Sequence, residues 1–138
     1  MRQRHQILLI EDNEADVFMI RKAIDAAVRA DLHVVSDGKA GILFVDAAGA
    51  EGNPPCPDLV LLDMNLPKEN GPDVLKHLRA SENCRDAAVL IVSSSDATRD
   101  QNAVSCLGIA GYFTKPSDYY EYMKLGPLVK ALLEDSAP

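Results

Sequence analysis

Five side chains able to carry charge or donate a proton stand at one kind of place in this chain, just after a short apolar run. Glu11 and Asp12 follow Ile7–Ile10, and Asp63 closes Leu59–Leu62. Ser93 follows Val89–Val92, and Lys115 follows Ile109–Thr114. If the runs are neighbouring parallel strands, their ends share one edge, and three carboxylates, a hydroxyl and an ammonium meet there. Clustered carboxylates repel one another at neutral pH unless a cation joins them. A few carboxylate oxygens with room for water and a phosphate suit Mg²⁺, a hard octahedral ion. An ammonium and a hydroxyl beside it are what a phosphoryl group requires. An Asp can itself be the nucleophile, giving an aspartyl phosphate. The chemistry these residue types imply is a Mg²⁺-dependent phosphoryl site on Asp63. Taken singly, an acidic pair or a Ser after a strand is more often a helix cap, and a lone Lys is more often solvated. Capping does not explain such groups at the corresponding ends of four separate strands.

Those ends must be delivered by rigid elements. The run Leu59–Leu62 has no polar interruption, as expected of a central strand buried on both faces. Similar runs at Ile7–Ile10, Leu32–Val35, Val89–Val92 and Ile109–Thr114 predict five strands. Between them apolar residues recur at helical spacing: Val17, Ile20, Ile24 and Ala27; then Ile42 and Val45; then Val74, Leu75 and Leu78. Asn13 or Glu14 opens the first helix, Asp37 caps the second, and Gly71-Pro72-Asp73 opens the third. The fourth helix is expected from a cap near Ser95 or Asp96 to Gly108. The stretch Gly49–Pro57, with two Gly and three Pro, is a surface loop. The tail from Ser117 to Asp135 is helical by pattern, with a kink or restart at Gly126-Pro127. Strands alternating with helices mean a parallel sheet covered on both faces.

Composition bounds the rest. At 138 residues with 47% hydrophobic and 25% charged residues, a single globular domain, 1–138, is expected. A net charge of −7 argues against nucleic-acid partners. No apolar run approaches the roughly 20 residues of a membrane span, so no membrane association is expected. Cys56, Cys84 and Cys106 form no CxxC pair and leave an odd count, which predicts reduced thiols and a cytoplasmic location. His5, His33 and His77 lack zinc-ligand spacing.

Four segments carry a resemblance: Ile-Leu-Leu-Ile-Glu-Asp-Asn from Ile7, Asp-Leu-Val-Leu-Leu-Asp-Met-Asn-Leu-Pro from Asp58, Val-Leu-Ile-Val-Ser-Ser-Ser from Val89 and Gly-Tyr-Phe-Thr-Lys-Pro from Gly111. In this order they resemble the response-regulator receiver domain of two-component signalling, over about residues 6–134. The resemblance to this family, which includes the chemotaxis regulators, implies an α/β, flavodoxin-like doubly wound sheet of strand order 2-1-3-4-5. It implies Asp63 as phosphoacceptor, with Mg²⁺ held by Glu11, Asp12, Asp63 and the backbone carbonyl of Asn65. It implies Lys115 as the phosphate-binding lysine, Ser93 and Tyr112 as the switch pair, and a cis Lys115–Pro116 peptide. The Glu-Asp-Asn start, the Gly-Asn-Pro-Pro-Cys-Pro loop and the Lys-Pro-Ser-Asp-Tyr tail are most similar to the small regulators associated with bacterial phytochromes.

The function expected is that of a stand-alone response regulator. It takes a phosphoryl group from a histidine kinase, of phytochrome type by the finer resemblance, and acts on a downstream protein or phosphotransfer partner. Residues 135–138 are only a stub, so no output domain is expected. Slow self-dephosphorylation is the most enzymatic activity expected. Residues 96–102 contain no large apolar side chain, which suits a fourth helix that moves. All four tyrosines, Tyr112, Tyr119, Tyr120 and Tyr122, fall within eleven residues. Neighbours one and two apart do not share a helical face, so at least one should be exposed. With the fourth helix they would form the switched face, for a homodimer or a partner. Three alternatives compete. A phosphohydrolase would want Asp-x-Asp where Asp63-Met64-Asn65 has an amide. A flavodoxin-like cofactor binder would want a Gly- or Ser-rich loop where Glu11-Asp12-Asn13 stands. A phosphorylation-independent interaction module would not need the phosphorylation residues that are present.

Overall fold

Successive strand residues point to opposite faces of a sheet, and here both sets are apolar, so each face needs a helical cover. The computed structural model describes residues 4–64, 66, 71–94 and 108–136. Its elements run β1 His5–Ile10, α1 Glu14–Ala27, β2 Ala30–Val35, α2 Gly38–Ala47, β3 Leu59–Asp63, α3 Gly71–Ala80, β4 Ala88–Ser93, β5 Gly111–Thr114, α4 Tyr119–Met123 and α5 Leu125–Ser136. The strands form one parallel sheet in the order β2-β1-β3-β4-β5. Leu8, Ile10, Val60, Leu62, Val89 and Ile91 face Val45, Val74, Leu75 and Leu78 of α2 and α3. Ile7, Leu9, Leu59, Leu61, Leu90 and Val92 face Ile20 and Ile24 of α1 together with Tyr122, Leu125, Val129 and Leu133. This is the flavodoxin-like arrangement expected, with β3 fully buried at its centre.

The caps fall where the sequence put them. Asn13 Oδ1 accepts from the Asp16 N–H at 2.9 Å, and Asp37 Oδ1 from the Ala40 N–H at 2.7 Å. No described helix is long and apolar enough to cross a membrane.

Several expectations need correction. Cys56 and Cys84 form a disulfide with their Cα atoms 5.3 Å apart, so these two are not free thiols, and the compartment argued from reduced thiols loses its basis. Leu59 pairs with Ala88, so Cys56 and Cys84 lie three and four residues ahead of paired positions on adjacent strands. Register brings the two loops together, and a search for CxxC cannot see that. No described peptide bond is cis, so Lys115–Pro116 is trans. Strand β5 begins at Gly111, not Ile109, although the Ala110 N–H still donates to Val89 O at 2.8 Å.

The tail does restart, but earlier than Gly126. Helix α4 ends at Met123 and α5 begins at Leu125, which places Pro127 in the first turn, where no intrahelical N–H donor is needed. A Cβ on Gly126 would overlap the Ala23 carbonyl oxygen and lie 2.9 Å from Ala27 Cβ. Gly126 therefore serves close packing of α5 on α1. Asn65, Ser95, Cys106 and the expected fourth helix lie outside the described residues.

Candidate functional site

The sheet register levels the strand ends. Ile10 pairs with Leu62, Asp63 with Val92, and Ser93 with Thr114. Glu11, Asp63, Ser93 and Lys115 thus stand within two residues of one another along the strand direction. Main-chain bonds continue past the last pairs: the Glu11 N–H donates to Val35 O at 3.0 Å, and the Lys115 N–H donates to Ser93 O at 2.7 Å. These bonds hold the Glu11 and Lys115 main chains at the edge of the sheet.

Glu11 and Asp63 are 1% and 4% exposed, so their charges are removed from bulk water. Lys115 Nζ lies 2.8 Å from Glu11 Oε1, 3.2 Å from Asp63 Oδ2 and 3.1 Å from Asp16 Oδ2. Glu11 Oε2 accepts from the Asn13 N–H at 3.2 Å. Burial raises the Glu11 carboxyl from 4.5 to about 7; the Lys115 contact opposes this shift and the Asp63 charge reinforces it. Burial works against the Lys115 ammonium, but its bonds to Glu11 and Asp16 and the charge of Asp63 outweigh burial and hold it protonated.

Glu11, Asp12 and Asp63 each offer an oxygen within 4.8 Å of the others, with Asp12 on the solvent side. The Lys115 ammonium is the charge partner of the buried Glu11 Oε1, and it is shared with Asp63 and Asp16. A compact all-oxygen set of three carboxylates, two of them buried, around one shared ammonium fits a small hard divalent cation.

Of the residues singled out in the sequence, Glu11, Asp12, Asp63 and Lys115 converge, and buried Ser93 ends the adjoining strand. Tyr112 stands further back on β5, paired with Ile91 and 37% exposed. Asn65 lies outside the described residues. Two residues went unrecognised as part of the site. Asp16, in the first turn of α1, is the third partner of Lys115, and its other oxygen accepts from the Tyr122 hydroxyl at 3.0 Å. The available signal was weak: Asp16 is an acidic residue one turn beyond an acidic pair, and Tyr122 is one tyrosine among four.

A family model described as the response regulator receiver domain matches residues 7–125. Response regulator Rcp1 of Synechocystis sp. is 30% identical over 120 residues, which cover 86% of this chain and 82% of Rcp1. The phosphorylated cyanobacterial phytochrome response regulator RcpA superposes with a TM-score of 0.86 at 27% identity, over 99% of this chain and 98% of its own. The Mn²⁺-bound form of Rcp1 superposes with a TM-score of 0.82 at 27% identity, over 97% of each chain.

Proposed function

Because the chain belongs to the response regulator receiver domain family of two-component signalling, we propose that it accepts a phosphoryl group from a histidine kinase onto Asp63. The observation that carries this reading is the Lys115 ammonium seated on the buried Asp63 carboxylate beside Glu11 and Asp12. An Asp63 oxygen attacks phosphorus, the bond from phosphorus to the donor imidazole nitrogen breaks, and that imidazole takes up a proton. Lys115 is already within contact distance of Asp63, and its fixed positive charge offsets the charge added to that carboxylate. Mg²⁺, held by Glu11, Asp12, Asp63 and the Asn65 carbonyl, would supply the further positive charge that the phosphoryl oxygens need. The existence of a Mn²⁺-bound form of the similar protein Rcp1 supports a divalent cation as the partner of this cluster.

Ser93 ends the strand beside Asp63, and its hydroxyl serves as the donor that engages the new phosphoryl oxygens. Tyr112 is the aromatic that follows. The face this switches is β5 with the tail helices and the segment before Gly108. Tyr119 at 48% and Tyr120 at 77% exposure support an interface there, because exposed tyrosine combines apolar area with a hydroxyl that finds partners. The likeness to RcpA makes a phytochrome-type kinase the first partner to try, and the exposed tyrosines make a homodimer through the same face the first assembly to test.

The test is direct. Acetyl phosphate with Mg²⁺ should add one phosphoryl group by intact mass, and Asp63→Asn or EDTA should abolish it. Labelling that persists in Asp63→Asn refutes the assignment.

A further inference from the structure

Lys115 is held by three carboxylates, but only two of them, Glu11 and Asp63, belong to the cluster suited to a cation. The third, Asp16, points the other way chemically. One of its oxygens takes Lys115 at 3.1 Å and the other takes the Tyr122 hydroxyl at 3.0 Å. Tyr122 is 3% exposed, its ring lies 5.8 Å from that of Phe113, and it sits in the core with Ile20, Leu125 and Val129. A single carboxylate thus joins the site lysine to α4, the first piece of the tail.

We infer that Asp16 is a positioning residue that competes with Asp63 for the Lys115 ammonium, and that the Tyr122 hydroxyl sets how strongly it competes. This rests on Asp63 being the phosphoacceptor. A carboxylate with a hydroxyl donor on one oxygen has part of its charge answered there and draws less on its remaining partner. Without that donor, Asp16 leans on Lys115. Without its own charge, Asp16 releases Lys115 to Asp63. When Asp63 is phosphorylated by acetyl phosphate, the new bond runs from an Asp63 oxygen to phosphorus, the donor phosphorus–oxygen bond breaks and acetate leaves. Asp63 then bears more negative charge and draws Lys115 from Asp16. Asp16 in turn leans on Tyr122, so the change is felt at α4. Hydrolysis by water returns the carboxylate and inorganic phosphate.

Lysine held on the phosphoryl oxygens stabilises the phosphorylated protein, so its lifetime reports the competition. Asp16→Asn should lengthen the lifetime and Tyr122→Phe should shorten it, each by about two- to fivefold, the scale of one partly exposed ion pair. The double variant should match Asp16→Asn, because the hydroxyl has nothing left to modulate. Tyr122→Phe keeps the ring in the core. A purely structural loss would shift both variants the same way, so opposite signs are the discriminating result. The protein is loaded with acetyl phosphate and Mg²⁺, desalted, and followed by intact mass. No label on the wild type sinks both this inference and the phosphoacceptor reading. A labelled wild type whose variants shift together, or not at all, overturns the inference alone. Should Asp16→Asn not fold, a wild-type lifetime in Tyr122→Phe is sufficient to overturn it.

Discussion

The two ends of this sheet are built on opposite electrostatic plans. At the end where the strands begin, partners are matched. Arg4 donates to Asp31 at 2.7 Å and to the Ala30 carbonyl, and Gln6 Nε2 donates to Asp31 at 2.8 Å. Asp58 Oδ2 accepts from the Gln6 N–H, while the Asp58 N–H donates to Gln6 O. The Arg79 guanidinium donates to the carbonyls of Arg85, Ala87 and Gly108, and Cys56–Cys84 staples the loops that lead into β3 and β4. At the end where the strands finish, Glu11, Asp16 and Asp63 gather around the Lys115 ammonium, with Asp12 beside Glu11 and Asp63. One end secures the strands. The other stays under-neutralised, and that surplus of negative charge is what a cation would answer. Stability and chemistry are thus separated along the strand axis, joined by a β3 buried on both faces.

The largest effect on stability should come from the stapled end. Cys56→Ser with Cys84→Ser should cost about 2–4 kcal/mol, the usual range for a native disulfide. Thermal melts with and without reductant measure the loss. Phosphorylation of the folded variant by acetyl phosphate should stay within about twofold of wild type at temperatures well below the melt, since the staple is remote from the strand ends that hold the site. A large loss of labelling in the folded variant would break the separation.

The active end should show the reverse behaviour. Glu11 is held up at about 7 against 4.5, so the folded metal-free protein binds this proton more tightly than the unfolded chain does. That contribution to stability is complete below 4.5 and is lost as pH rises through about 7. At 1.36 kcal/mol per pKa unit it amounts to no more than about 3 kcal/mol. In EDTA, melts should therefore weaken from pH 5 to pH 8, with a shallower slope in Glu11→Gln. Asp12→Ala should raise the metal-free midpoint, by about 1 kcal/mol or less for an exposed charge, while weakening Mg²⁺ binding by calorimetry. Destabilisation of Asp12→Ala in EDTA would mean that the acidic cluster is not repulsive.

The smallest stability effect belongs to neither end. Tyr119→Ser and Tyr120→Ser remove exposed rings and should shift stability by no more than about 0.5 kcal/mol. If this face carries the output, the same variants should still be labelled but lose phosphorylation-dependent association in light scattering with beryllofluoride. Association unchanged in the variants removes this face as the interface, and a wild type that stays monomeric removes the homodimer.

Much of this was legible in the linear chain, for a physical reason. Unbroken apolar runs such as Leu59–Leu62 specify strands buried on both faces, and in a parallel sheet all strand ends of one kind coincide. The runs therefore imply that Glu11, Asp12, Asp63, Ser93 and Lys115 share one edge. Caps are local too, so Asn13 and Asp37 could be read directly. The tyrosine run cannot bury on one stripe, as its spacing implies: Tyr122 is inside, while Tyr119 and Tyr120 are not. What the chain did not disclose are contacts that depend on how elements pack. The disulfide joins residues 28 apart through strand register, and the Asp16–Tyr122 bond spans 106 positions. Gly126 looks like a helix breaker, yet its missing Cβ is needed because α1 passes so close. Periodicity specifies which face a residue takes. Only the packed structure decides which face it meets, and so only it shows that the site lysine is shared with the tail.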